Sequence, residues 1–241
     1  MIDLSLFYWV LVPVSLFAGF LRGFAGFGGV LFMLPILSLF LSPAVAIGVM
    51  MWTDVFANVH LLPNARADSS RAVVVPLLIG TAISMPAGAY LLLSLDPLLM
   101  KKVLCGSILI VAVVLLTGWR YRRPVGTAVY AMIGAFSGFV MGATSIAAFT
   151  PLFLGAGNQT AAQNRANFIV WVSPASVLLI GLLALGDTLD VANIWMIVVL
   201  TPFYFAGTLI GTRVLRNAAD LTVRRTTLAL IIATATAGLV L

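Results

Sequence analysis

Runs of eighteen or more apolar residues recur along this chain, separated only by short polar loops. Each run is long enough to cross a bilayer core about 30 Å thick. The balance of residues excludes a soluble alternative. Of the 241 residues 62% are hydrophobic and only 8% are charged, and the mean hydropathy is +1.17. A soluble domain is about 25% charged, so too few polar groups remain here to cover a globular surface. The chain is an all-α polytopic protein of the lipid bilayer, expected in the cell membrane.

Thirteen Lys+Arg against seven Asp+Glu give a net charge of +6. The basic residues lie singly or in short loop clusters, which suits cytoplasmic loops of a membrane protein and not a nucleic-acid partner. The one cysteine, Cys105, lies inside an apolar segment. With His60 as the lone histidine, beside Pro63 at a segment end, neither an internal disulfide nor a Cys/His metal site can form. No metal and no cofactor is expected. The start, MIDLSLFYWV, lacks the basic region of a secretory signal, so the first segment is expected to stay in the protein.

Polar loops divide the chain into two sets of four blocks. The first repeat, 1–119, holds block 4–41 and helices 43–63, 72–93 and 100–119. The second, 120–241, opens with the basic loop WRYRRP and holds block 125–157 and helices 166–185, 190–212 and 226–241. A shift of 116 residues lays Gly26 on Gly142 and Pro35 on Pro151. A shift of 123 lays Gly88 on Gly211 and Lys101-Lys102 on Arg224-Arg225.

A single helix over 4–41 would be about 57 Å long, so each opening block is either broken or folded back. Loop charge decides between these. With block 125–157 entering and returning on one side, ten basic residues fall inside, and the acidic loop at Asp187–Asp190 falls outside. Single crossings leave only five basic residues inside, a poor fit to positive-inside topology. The expected architecture is therefore two inverted repeats, each a glycine-tipped helical hairpin plus three transmembrane helices, with both termini outside. Inverted repeats of this kind are typical of secondary transporters.

Within block 4–41 the stretch GFLRGFAGFGGVLFMLP carries Arg22 and five glycines. Gly19, Gly23, Gly134, Gly138 and Gly142 have small-xxx-small spacing, which also serves close helix crossings. Gly26, Gly28 and Gly29 break that period and read as the hairpin turn. Backbone at this depth must be buried or line a wet cavity, and the helix restarting after it offers free N–H groups and a positive dipole end to an anion. The matching place in the second half is GATS (142–145), where Thr144 and Ser145 add hydroxyl donors.

Arg22 has two readings. An intramembrane charge faces a pathway or a partner, so it is either a substrate ligand or one half of an ion pair with Asp54. Asp54 and Asn58 are four apart on one helix face. Asp54 is the charge partner, or a proton carrier if transport is coupled to protons. Asn164 and Asn167, three apart after the second hairpin, are candidate cavity residues, and Arg165 between them reads as a topology charge.

Gly23-Phe-Ala-Gly26-Phe-Gly28-Gly29, with Pro35 six residues on, resembles the glycine-rich opening of the TauE/SafE sulfite exporter family, also called 4-toluene sulfonate uptake permeases. Length, segment order and repeat are similar over the whole chain. The sequence departs from the family pattern at Val30, where a glycine is usual, and in Gly142-Ala-Thr-Ser145. Ile47-Gly48 and Gln163-Asn164 stand where a Thr-Ser pair is frequent. The resemblance implies transport, export above all, of sulfite, organosulfonates or related small sulfur-containing anions.

The residues by themselves reach only a small anion, bound between the hairpins and moved by alternating access. Substrate-binding candidates are Arg22, Gly26, Gly28, Gly29, Thr144, Ser145, Asn164 and Asn167. Competing readings are a permease for another small anion, a cation carrier using Asp54, and a non-transporting membrane assembly protein. No GxxxxGK[ST], HExxH or GxSxG occurs, so neither nucleotide hydrolysis nor a common hydrolase mechanism is expected, and no catalytic residue is assigned.

Overall fold

The computed structural model describes residues 7–25, 28–59, 61–117, 126–154, 159–186, 191–215, 229 and 231–238. Gly26, His60, the basic loop at 119–124 and the acidic loop at 187–190 lie outside them. Every element among the described residues is helical. A π-helical turn, Phe7–Leu11, leads into α1 (Val12–Ala25), followed by α2 (Gly28–Leu37). Then come α3 (Pro43–Val59), α4 (Leu62–Asp68), α5 (Arg71–Ser94) and α6 (Pro97–Thr117). After these lie α7 (Thr127–Thr144), α8 (Thr150–Leu154), α9 (Ala161–Leu185), α10 (Val191–Leu215) and a last helical run, 231–238.

Helix starts follow local chemistry. Asp96 Oδ1 accepts from the N–H groups of Leu98 and Leu99 at the start of α6, where Pro97 needs no partner for a missing N–H. Thr160 and Gln163 form a reciprocal capping box that starts α9 at Ala161, five residues before the expected boundary. The segment expected over 43–63 ends at Val59, and α4 turns away by 66°. Pro63, in the first turn of α4, cannot donate to a continuing helix.

Among the described residues five helices, α5, α6, α7, α9 and α10, are long and apolar enough to cross a membrane, or six if α3 and α4 count as one bent span. Their outward faces carry large exposed apolar side chains such as Ile83, Tyr90, Met132 and Val198, as lipid requires. Helices α1 and α2 are shorter, and the chain doubles back between them: the rings of Phe17 and Phe32 meet edge-on at 5.2 Å. In the second half Phe136 and Phe149 meet in the same way at 5.6 Å. Both opening blocks are hairpins, but their returns differ. The second has no glycine at its tip. There α7 ends in Ser145, at a left-handed φ of 63°, residues 145–149 are not helical, and the return helix α8 is only five residues long. Gly142, expected at this turn, lies within α7.

The helices pair across the two halves. In one bundle α1 runs along α10, with α2 and α3 beside them; in the other α5 runs along α7, with α8 and α9 beside them, and α9 also packs against α3 and α4. Both long pairings are backbone-close. A Cβ at Gly23 would overlap the Thr208 carbonyl, and one at Gly142 the Met85 carbonyl. Gly19 likewise abuts Tyr204, as Gly138 abuts Thr81. Gly138 follows Gly19 by 119 residues, as Gly142 follows Gly23 and Phe136 follows Phe17. Tyr204 follows Thr81 by 123, as Thr208 follows Met85.

Polar bonds fix each bundle. Ser15 Oγ donates to the Leu200 carbonyl at 2.9 Å in the first. In the second, Thr81 and Ser84 donate to the Gly134 and Ala135 carbonyls, and Trp171 Nε1 donates to Thr81 Oγ1 at 2.9 Å. Trp171→Phe removes one buried donor and part of a fully buried ring. We expect a loss of about 1 kcal/mol for the bond and about 1–2 kcal/mol more for the space left behind, read as a lower unfolding temperature in detergent; no change would mean that neither the bond nor the ring's packing contributes net.

Candidate functional site

The site grows from the first bundle. Arg22, near the end of α1, is buried inside the protein, and so are Asp54 and Asn58 of α3 and Tyr204 of α10. Arg22 Nε donates to Asp54 Oδ1 at 2.8 Å, and its Nη2 donates to Asp54 Oδ2 at 3.3 Å and to Asn58 Oδ1 at 2.6 Å. Asn58 Nδ2 donates to Asp54 Oδ2 at 2.9 Å, across the one helical turn that separates them. Tyr204 Oη donates to Asp54 Oδ1, also at 2.9 Å. Such a pair is tolerable in a low-dielectric interior because the remaining lone pairs find donors. Gly29 lets α2 reach this cluster, since a Cβ there would strike Tyr204 Oη and Arg22 Cβ.

One edge of the guanidinium is left over. Nη1 has no hydrogen-bond partner among the described residues, and Arg22 lines a cavity between the two hairpins. From the first bundle the walls are Val30 and Leu31 of α2 and Met51 and Asp54 of α3. From the second they are Met141, the non-helical residues Ser145 to Ala148, and Phe168, Val172 and Ser176 of α9. The hydroxyls of Ser145 and Ser176 are buried without a hydrogen-bond partner. Phe168 lies under the guanidinium, its ring centre 6.0 Å from Cζ, close enough for a cation–π contact. The cavity volume is about 20 Å³, room for about one water. A sulfur oxyanion would need the walls to part.

The sequence-derived candidates are distributed as follows. Arg22 and Ser145 line the cavity, and Asp54 and Asn58 hold Arg22. Gly28 and Gly29 are buried at the start of α2 and shape the cluster from behind. Thr144 is turned away, its hydroxyl donating to the Val140 carbonyl of its own helix at 2.7 Å. Asn167 is engaged elsewhere: its Oδ1 accepts from the Ser70 N–H at the start of α5, and its Nδ2 donates to Gln159. Asn164 is half-buried with Oδ1 unpartnered, away from the cavity walls. Tyr204, Ser176 and Phe168 were not among the candidates. A tyrosine or serine inside an apolar run has no distinguishing pattern in sequence. Among the described residues no group of His, Cys, Asp or Glu is arranged to hold a metal ion.

No curated protein and no solved structure matches the chain. The family model described as sulfite exporter TauE/SafE matches residues 11–237. That span contains both hairpins, the Arg22–Asp54 cluster and the cavity between them. The chain belongs to the TauE/SafE sulfite exporter family, a family of membrane transporters.

Proposed function

We propose that this protein exports small sulfur-containing anions, sulfite or an organosulfonate, through a site between its two hairpins. The observation that carries the reading is the convergence of unpartnered donors on one cavity. Arg22 comes from one hairpin, its Nη1 left out of the hydrogen bonds to Asp54 and Asn58; Ser145 Oγ from the other and Ser176 Oγ from α9 are buried without a partner. Unsatisfied buried hydroxyls are costly, and an oxyanion would satisfy all three. Both Asp54 oxygens already accept from several donors, which leaves the carboxylate poorly placed to ligate a cation.

The two halves, 1–119 and 120–241, are read as inverted repeats. The offsets of 119 and 123 support this, because the contacts of α1 with α10 recur as contacts of α7 with α5. Alternating access then moves one cross-paired bundle against the other, widening the cavity. Proton coupling is part of this reading only through Asp54 as the candidate carrier: the Arg22–Asp54 pair is neutral overall, and a proton moved with the anion would balance its charge.

Flux into proteoliposomes tests this, with sulfite, sulfoacetate, sulfate and chloride offered under pH gradients of either sign. Saturable flux of a sulfur anion is expected. Ser145→Ala/Ser176→Ala should weaken its apparent affinity by about tenfold or more, two hydrogen bonds to a charged group being lost. Unchanged affinity in that variant would remove the cavity from the transport path.

A further inference from the structure

A second, larger cavity lies on the other side of Asn58. It is a crevice of about 360 Å³, bounded by Val55, Asn58 and Val59 of α3, Leu62 and Arg66 of α4, Leu78 of α5, and Val170, Ser173, Pro174 and Val177 of α9. Asp54 faces the small cavity and Asn58 faces the crevice, one helical turn apart on α3. The same interleaving occurs on α9, where Val172 and Ser176 face one cavity and Ser173 and Val177 the other. Asn58 lines the crevice and is hydrogen-bonded to Arg22 and Asp54, which line the small cavity.

The crevice runs along the seam between the bundles. Every inter-helix side-chain hydrogen bond described above lies inside one bundle or the other, so parting α3 from α9 would break none of them. The Arg22–Phe168 contact spans the seam at the small cavity. Pro174 stands in α9 on the crevice wall. It removes the intrahelical bond to the Val170 carbonyl, which weakens the helix where it would have to flex. Arg66 is exposed at the crevice and makes no ion pair among the described residues. It supplies a positive field that raises the local concentration of anions.

We infer that the crevice is an aqueous vestibule for small anions, drawn in by Arg66, with Asn58 as the gate between it and the Arg22 cavity. The inference rests on the anion-transport reading for its purpose but not for its test. Cysteine accessibility is measured in the full chain carrying Cys105→Ser, reconstituted in nanodiscs. Ser173→Cys and Val177→Cys report on the crevice, and Ile83→Cys, exposed on α5, reports on lipid. The probes are a sulfonate-bearing thiosulfonate, its trimethylammonium counterpart and a lipophilic maleimide.

A charged reagent is excluded from hydrocarbon, so the crevice thiols should react with the sulfonate reagent about a hundredfold faster than the Ile83→Cys thiol. The preference for the anionic over the cationic reagent should fall in Arg66→Gln. Asn58→Ala should raise sulfonate labelling of Ser176→Cys, in the inner cavity, by about tenfold or more. Crevice thiols that react only with maleimide would make the crevice a lipid groove and overturn the vestibule. Thiols that react with no reagent until the protein is unfolded would do the same. Equal Ser176→Cys labelling with and without Asn58→Ala would overturn the gate. Labelling needs no transported substrate, so these outcomes leave the flux experiment free to fail or succeed separately.

Discussion

Asp54→Leu is expected to lose about 3–5 kcal/mol of stability, the cost of breaking a buried ion pair from one side. Arg22 has nowhere to take its charge, since only 6% of its surface is exposed. The substitution also removes the acceptor of Tyr204 Oη and Asn58 Nδ2. Against a total stability of about 5–15 kcal/mol this should appear as a sharp fall in folded, monodisperse protein. The double variant Arg22→Met/Asp54→Leu removes both charges and is expected to recover the part of the loss due to the uncompensated charge, while Tyr204 Oη and Asn58 stay without their partners. It should remain without anion flux. Recovery of folded protein without flux would separate the structural role of the pair from its role in transport. Full flux in the double variant would show that Arg22 does not touch the anion.

Gly138→Leu is the second large effect. A Cβ at Gly138 would lie 2.6 Å from Thr81 Cα and 2.7 Å from Ser84 Oγ, so α5 and α7 would have to move apart. Two hydrogen bonds depend on that approach, from Thr81 to the Gly134 carbonyl and from Ser84 to the Ala135 carbonyl. Loss of both, at about 1 kcal/mol each in a membrane, adds to an overpacking cost of about 1–3 kcal/mol. Gly181→Leu is the control, because nothing lies within 4 Å of a Cβ at that glycine, and it should leave the unfolding temperature unchanged. Equal behaviour of the two variants would mean that α5 and α7 are not packed through their glycines.

The sequence by itself determined what is counted along one axis. Apolar run length made the chain a helical membrane protein. Block 4–41 was too long for one span, and the structure divides its described residues between α1 and α2. The four-residue spacing of Asp54 and Asn58 put them on one face, and the cost of burying Arg22 made Asp54 its natural partner.

Tertiary structure decided what depends on which face meets which. Tyr204 completes the cluster from 150 residues away, and no local pattern marks it. Thr144 and Ser145 are neighbours of like chemistry, yet one hydroxyl turns back on its own helix while the left-handed backbone at the other carries it to the cavity. Ser173 and Ser176 share α9. Ser173 donates to the Ile169 carbonyl, whereas Ser176 faces the small cavity unpartnered. In a chain apolar on nearly every helical face, periodicity carries almost no information about direction. The rotations of α1, α10, α5 and α7 are fixed by their close glycine contacts, and the packing of the other helices against them makes a serine a ligand candidate or a spectator.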